Sequence, residues 1–166
     1  MPAVRRETKC RGFSLIELII VLAIIMTIAA LALPNFTRAR IQANESAVVA
    51  ALRSINTAVV TYESTYQQGF PNTLADLGPP PPGTPPSASA ADLVDRHVAS
   101  GGRSGYTLTF TAADTNGDGR NDSYTVNAAP ASPGVSGIKF FYVDQTNVIR
   151  YNPTSPAGPG DRPIPQ

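Results

Sequence analysis

Phe13-Ser14-Leu15-Ile16-Glu17-Leu18-Ile19-Ile20-Val21-Leu22-Ala23-Ile24-Ile25-Met26-Thr27-Ile28-Ala29-Ala30-Leu31-Ala32-Leu33 is the stretch on which the reading of the chain turns. Only Ser14, Glu17 and Thr27 interrupt its apolar character. As a helix rising about 1.5 Å per residue it spans ~31 Å, which matches the ~30 Å hydrocarbon core of a bilayer. Before it stand Arg5, Arg6, Lys9 and Arg11 against a single Glu7, and few basic residues follow it closely. That asymmetry places the N-terminus in the cytoplasm and the rest of the chain beyond the inner membrane.

Three readings of this segment compete: a secretory signal, a plain membrane anchor, or a more particular device. Ala30-Leu31-Ala32 fits a small-residue cleavage site, which favours secretion. Against it, Glu17 lies inside the apolar region and the helical pattern continues past the cut. A carboxylate in hydrocarbon costs a few kcal/mol, so it marks function by default. Glu17 needs a partner or must be neutral. No Lys or Arg lies between Phe13 and Leu33, so the partner has to come from another chain or from a newly made amino terminus.

The run Arg11-Gly12-Phe13-Ser14-Leu15-Ile16-Glu17-Leu18 resembles the class III signal of type IV pilins and type II secretion pseudopilins. The resemblance implies cleavage by a prepilin peptidase between Gly12 and Phe13, and methylation of the new N-terminal Phe13. It also implies that Glu17 meets the terminal amine of a neighbouring subunit during filament assembly, which is the partner the charge argument asks for. Pro34 matches the family as well. The resemblance is close over residues 11–66 and beyond that is one of general architecture. Cleavage would remove Cys10, the one cysteine, so the C-terminal disulfide of many type IV pilins has no counterpart here.

Past Pro34, Ile41, Val48, Leu52, Ile55, Val59, Tyr62 and Tyr66 form one stripe of a 3.6-period helix. Arg38, Arg40, Gln42, Glu45, Arg53, Asn56 and Glu63 are expected on other faces. Gly69 and Pro71 end the helix near Gln68. Residues 70–77 read as a short helical turn on a loop. Pro79 to Pro86, with six prolines in eight residues, reads as a stiff polyproline-II linker on the surface. A second short helix is expected over Ala90 to Ala99. Four strand signals follow, at 106–111, 123–128, 138–143 and 148–151, and they suggest an antiparallel meander packed on the second half of the long helix. The tail reads as irregular.

The expected fold is therefore α+β. It comprises a leader 1–12, a membrane and filament-core helix 13–34, the amphipathic half of that helix 35–68, a Pro-rich loop with a short helix 69–105, an antiparallel head of about four strands 106–152 and a Pro-rich tail 153–166.

Other chemistry is sparse. Asp114, Asn116, Asp118 and Asp122, with Gly119 at the sixth position, follow the spacing of an EF-hand-like calcium loop. The twelfth position is Thr125 rather than Glu, and Asn-Gly and Asp-Gly are also ordinary hairpin turns, so a calcium loop and a plain polar loop both stand. No cofactor is required. His97 is the one histidine and reads as a surface residue. Asn44-Glu45-Ser46 and Asn121-Asp122-Ser123 match glycosylation triplets but carry little weight. No nucleophile elbow, P-loop or dinucleotide fingerprint occurs, which argues against an enzyme. The formal net charge of +1 argues against a nucleic-acid partner.

The reading is a structural subunit of a type IV pilus-like filament. Its expected partners are identical or related pilins, the prepilin peptidase, the inner-membrane assembly machinery and the membrane itself. It waits in the bacterial inner membrane, then joins a filament in the periplasm or at the cell surface. The alternatives are a minor pilin or a type II secretion pseudopilin, and a secreted soluble binding domain cut after Ala32.

Overall fold

The computed structural model describes residues 13–165. The expected leader 1–12, with Gly12 and Cys10, lies outside the described residues. Helix α1 runs Leu15–Tyr66, 52 residues with Pro34 inside it. The chain divides into two compact units, Met1–Arg38 and Ala39–Gln166, and α1 contributes to both.

In the second unit α1 packs on an antiparallel sheet. The strands are β1 (Gly102–Arg103), β2 (Tyr106–Ala113), β3 (Ser123–Pro130), β4 (Phe140–Asp144), β5 (Arg150–Asn152) and β6 (Arg162–Pro163). They lie side by side in sequence order. Most of the expected stripe is the core: Val48, Leu52, Ile55, Val59 and Tyr62 are buried against Tyr106, Leu108, Tyr124, Val126, Phe141 and Val143 from the sheet, Tyr66 is half-buried beside them, and Ile41 is buried outside that cluster. Alternation puts Tyr124, Val126 and Ala128 of β3 on that face.

The sheet has six strands rather than about four. β1 forms because Ser104 (φ +47°) and Gly105 (φ +76°) both take the left-handed conformation, the two-residue turn that pairs Arg103 with Tyr106. β6 forms within the Pro-rich tail because an edge strand tolerates the missing N–H of Pro163. Next to it, Ile164 N–H donates to the Ile149 carbonyl at 2.9 Å.

Other boundaries shift for identifiable reasons. The second short helix is only α2 (Arg96–Ala99). The amides of Ala91, Asp92, Leu93 and Val94 are already given to carbonyls of Asp76, Gly78 and Leu77, at the end of the 3-10 turn Leu74–Leu77. Asp95 then caps α2 by accepting from His97 and Val98 N–H. The proline run is not a straight polyproline helix. It turns at Pro82-Gly83, where Gly83 has φ +84° and Thr84 N–H bonds the Pro81 carbonyl at 3.1 Å.

Two polar residues expected on outer faces of α1 are buried: Glu45 at 8 % and Asn56 at 7 % exposure. Glu45 Oε1 accepts from the amides of Ile138 and Lys139 at 3.2 Å, and Oε2 pairs with Lys139 Nζ at 2.8 Å. Those commitments also explain why the third expected strand begins at Phe140 rather than Ile138. The Asn56 side-chain oxygen accepts from the Tyr124 hydroxyl at 3.3 Å. Burial, with the Asp144 charge, pushes Tyr124 up to about 12.

Burial raises the pKa of Glu45, but the Lys139 ammonium and the two amides outweigh it, so the carboxyl sits below its ordinary value. A depressed folded pKa means the stabilisation is full above the unfolded pKa of ~4.3 and is lost as pH falls through the folded value. Glu45→Gln is expected to cost about 1–2 kcal/mol at neutral pH and to flatten the acid limb below ~4.5. Thermal melts of the full chain in detergent by circular dichroism test this; parallel acid limbs in the two proteins would exclude Glu45 as the group. Gly137→Ala is expected to destabilise by about 1–3 kcal/mol in the same assay, because its methyl would run into the Tyr106 ring and hydroxyl. That hydroxyl donates to the Lys139 carbonyl.

Candidate functional site: the N-terminal end of helix α1

Ser14 and Glu17 make the helix start. The Ser14 amide donates to Glu17 Oε2 at 2.9 Å, and Leu18 N–H bonds the Ser14 carbonyl at 3.3 Å. An acceptor at the third helical position satisfies a donor that the helix itself leaves free, and its charge suits the positive end of the helix dipole. Phe13 precedes this turn and is 81 % exposed. Phe13 and Glu17 therefore lie one helical turn apart, the acid at the end of the helix where an amino terminus made at Phe13 would stand. Gly12 falls outside the described residues.

From Leu18 to Leu22, five consecutive large apolar residues are each 44–55 % exposed. Consecutive positions sample every side of a helix, so no face of this segment is covered by the described residues. Its one interior hydroxyl, on Thr27, donates to the Ala23 carbonyl at 2.8 Å, leaving no bare donor. By length and composition this half of α1 qualifies as a membrane span. Pro34 has no N–H to give the preceding turn, yet the helix continues through it. Thr37 adds a side-chain bond to the Leu33 carbonyl at 3.2 Å.

The β2–β3 connection holds the other expected site. Asp114, Asn116, Asp118 and Asp122 turn on their own loop. Asp114 accepts from the Gly117 and Gly119 amides, and Asn116 Oδ1 accepts from Asp118 N–H. Asp118 Oδ1 accepts from Arg120 N–H, and Asp122 accepts from Thr115 N–H and Oγ1–H. The two Thr115 bonds hold the exposed Asp122 below the ordinary carboxylate range. Among the described residues, no group of three or more His, Cys, Asp or Glu side chains is placed to hold a metal ion.

The remaining motifs are placed simply. His97 is exposed on α2. The amide of Asn44 donates to the Ser136 carbonyl, and that of Asn121 to the Phe70 carbonyl and Asn72 Oδ1, so both triplet nitrogens are engaged in the fold. The Glu45–Lys139 pair was missed as a feature of the head. Its signal was present: Ile41, Glu45, Val48 and Leu52 are spaced 4, 3 and 4 apart, which places Glu45 on the buried stripe.

Comparison with known proteins agrees with this geometry. Residues 8–33 match the family model of the prokaryotic N-terminal methylation motif. The chain is 29 % identical over 125 residues to the type IV wide pilus major component PilA4 of Thermus thermophilus, covering 74 % of this chain and 95 % of that protein. No solved structure matches. In its methylation motif, in the uncovered apolar helix behind it and in its α+β head, the chain is similar to type IV pilins.

Proposed function

We propose that this chain is a type IV pilin, held in the bacterial inner membrane by the first half of α1, cut by a prepilin peptidase between Gly12 and Phe13, methylated at Phe13, and polymerised by dedicated inner-membrane machinery. The observation that carries the reading is the uncovered apolar run Leu18 to Leu22, exposed on every side of the helix. A surface of that kind is stable in lipid or among like helices and not in water. The same segment serves both states in turn, first lipid, then the filament core.

Glu17 supplies register. In the isolated chain it caps the Ser14 amide through one oxygen. In the filament its carboxylate pairs with the Phe13 amine of a neighbour, two charges that satisfy each other away from water. Because the two positions are four residues apart, that pair offsets adjacent helices by ~6 Å along their axes. A buried charge pair favours one alignment and penalises slips that leave either charge alone. A role as the principal subunit is favoured over a minor pilin or a pseudopilin by likeness to a protein named as a major pilus component. The heads, Ala39–Gln166, then form the outer surface, and no catalytic role is assigned to them.

In cells carrying only Glu17→Ala, the chain is expected to insert and to be cleaved at Phe13, while sheared filaments fall at least tenfold. Normal filament yield from that strain would end the register argument. The mature N-terminus is read independently by intact-mass and N-terminal peptide spectrometry. A chain beginning at methylated Phe13 agrees with the proposed route, and one beginning at Leu33 would mean a conventionally secreted protein.

A further inference from the structure

The β2–β3 connection contains the one Asn-Gly bond of the chain, Asn116-Gly117, and its one Asp-Gly bond, Asp118-Gly119. Such junctions are prone to succinimide formation, because a following glycine puts no side chain in the path of the attacking nitrogen. At the first, the Gly117 amide nitrogen loses its proton and attacks Asn116 Cγ. A ring N–C bond forms, the bond to the side-chain nitrogen breaks, and ammonia leaves with the proton. Water then opens the imide at either carbonyl, giving aspartate or isoaspartate. At the second junction the protonated Asp118 carboxyl reacts: Gly119 nitrogen attacks Cγ, the ring N–C bond forms, the bond to the carboxyl hydroxyl breaks, and that hydroxyl leaves as water with the nitrogen's proton. Rehydration gives aspartate or isoaspartate there too. Water is the sole co-reactant.

Packing does not block either reaction. Gly117 (φ +77°) and Gly119 (φ +84°) have nothing within 4 Å of where a Cβ would stand, and residues 113–120 are exposed. What the loop does instead is hold both nucleophiles by their protons. Gly117 N–H donates to Asp114 Oδ1 at 2.7 Å, and Gly119 N–H donates to Asp114 Oδ2 at 2.8 Å. One carboxylate thus takes the two amides whose deprotonation starts the two reactions. A hydrogen bond to the protonated form favours that form, and a neighbouring negative charge opposes a second one on nitrogen. Asn116 is also fixed, since its Oδ1 accepts from Asp118 N–H at 2.9 Å.

We propose that Asp114 is a chemical guard, protecting both Asn116-Gly117 and Asp118-Gly119 from succinimide formation, so that the loop keeps its covalent structure on an exposed surface. Isoaspartate at either site would reroute the backbone through a side chain and break the turn that Asp114 organises.

The test ages the full-length chain in detergent, at mildly alkaline pH for Asn116 and mildly acidic pH for Asp118, as wild type, Asp114→Ala, Asp114→Asn and Asp122→Ala, with wild type in urea as the unprotected reference. Peptide mass spectrometry reads conversion of Asn116, and enzymatic isoaspartate methylation reads both sites. Native wild type is expected to age more slowly than the urea sample. Asp114→Ala is expected to age about tenfold faster at both junctions, the factor that one charge-assisted hydrogen bond to the protonated nitrogen is worth. Asp114→Asn keeps one acceptor oxygen and is expected to fall between. Asp122→Ala removes the Thr115 bonds but touches neither glycine, and is expected to stay close to wild type. Ageing of Asp114→Ala at the wild-type rate, or equal acceleration in Asp122→Ala, would overturn the proposal in favour of general loop rigidity. Melts of each variant show that it is folded when aged.

Discussion

An apolar helix surface exposed on all sides is the constraint to which the rest of this molecule answers. Between Leu15 and Leu33 the chain offers water an almost unbroken hydrocarbon surface, which none of the described residues covers. At roughly 25 cal/mol per Å² of apolar area, leaving such a segment in water is costly by many kcal/mol. The segment must therefore always be solvated by something else apolar. Lipid meets that demand for a single subunit, and neighbouring copies of the same helix meet it in a polymer. The proposed role, a filament subunit kept in a membrane until use, gives that one surface a suitable environment at every stage.

The same constraint gives Glu17 its meaning. In an aqueous head an acid at the start of a helix is an ordinary cap. In an apolar segment it has few choices of partner. Its bond to the Ser14 amide satisfies one oxygen and the dipole of α1 favours its charge, so it is tolerable in the single chain. No Lys or Arg between Phe13 and Leu33 can serve it as a counter-ion. A newly made amino terminus at Phe13 is a cation of the right sign at the right depth. In the proposed route, helix start and assembly contact are thus built from the same few residues.

Much of this was legible in the sequence because its signals are periodic or compositional. The stripe from Ile41 to Tyr62 follows helical spacing, and it is buried as spaced. Strands β2 and β3 alternate cleanly and appear where the alternation runs. What was not legible depends on hydrogen bonds between distant segments. β1 needs the left-handed pair Ser104-Gly105, and β6 needs an edge at which Pro163 is harmless. The amides that would have extended α2 toward Ala90 go to the 3-10 turn more than a dozen residues earlier. The Asp114 to Asp122 loop was legible as a turn. That its acids would face its own amides was not, because spacing alone cannot tell a ligand from an acceptor.

Glu45 and Asn56 show what polar groups do in a core that could have been wholly apolar. Apolar residues recurring every three or four positions fit a sheet nearly as well after α1 slides by one turn, about 5.4 Å. Hydrophobic contact is non-directional and distinguishes such positions weakly. The carboxylate of Glu45 does distinguish them, since a slide would strand it away from the Ile138 and Lys139 amides and leave a buried charge unpaired. Eleven residues, or ~16 Å, further along, Asn56 meets Tyr124. Two polar contacts at separated points fix both the rotation and the axial position of a helix on a sheet. Apolar area holds the head together, and these two residues decide in which register.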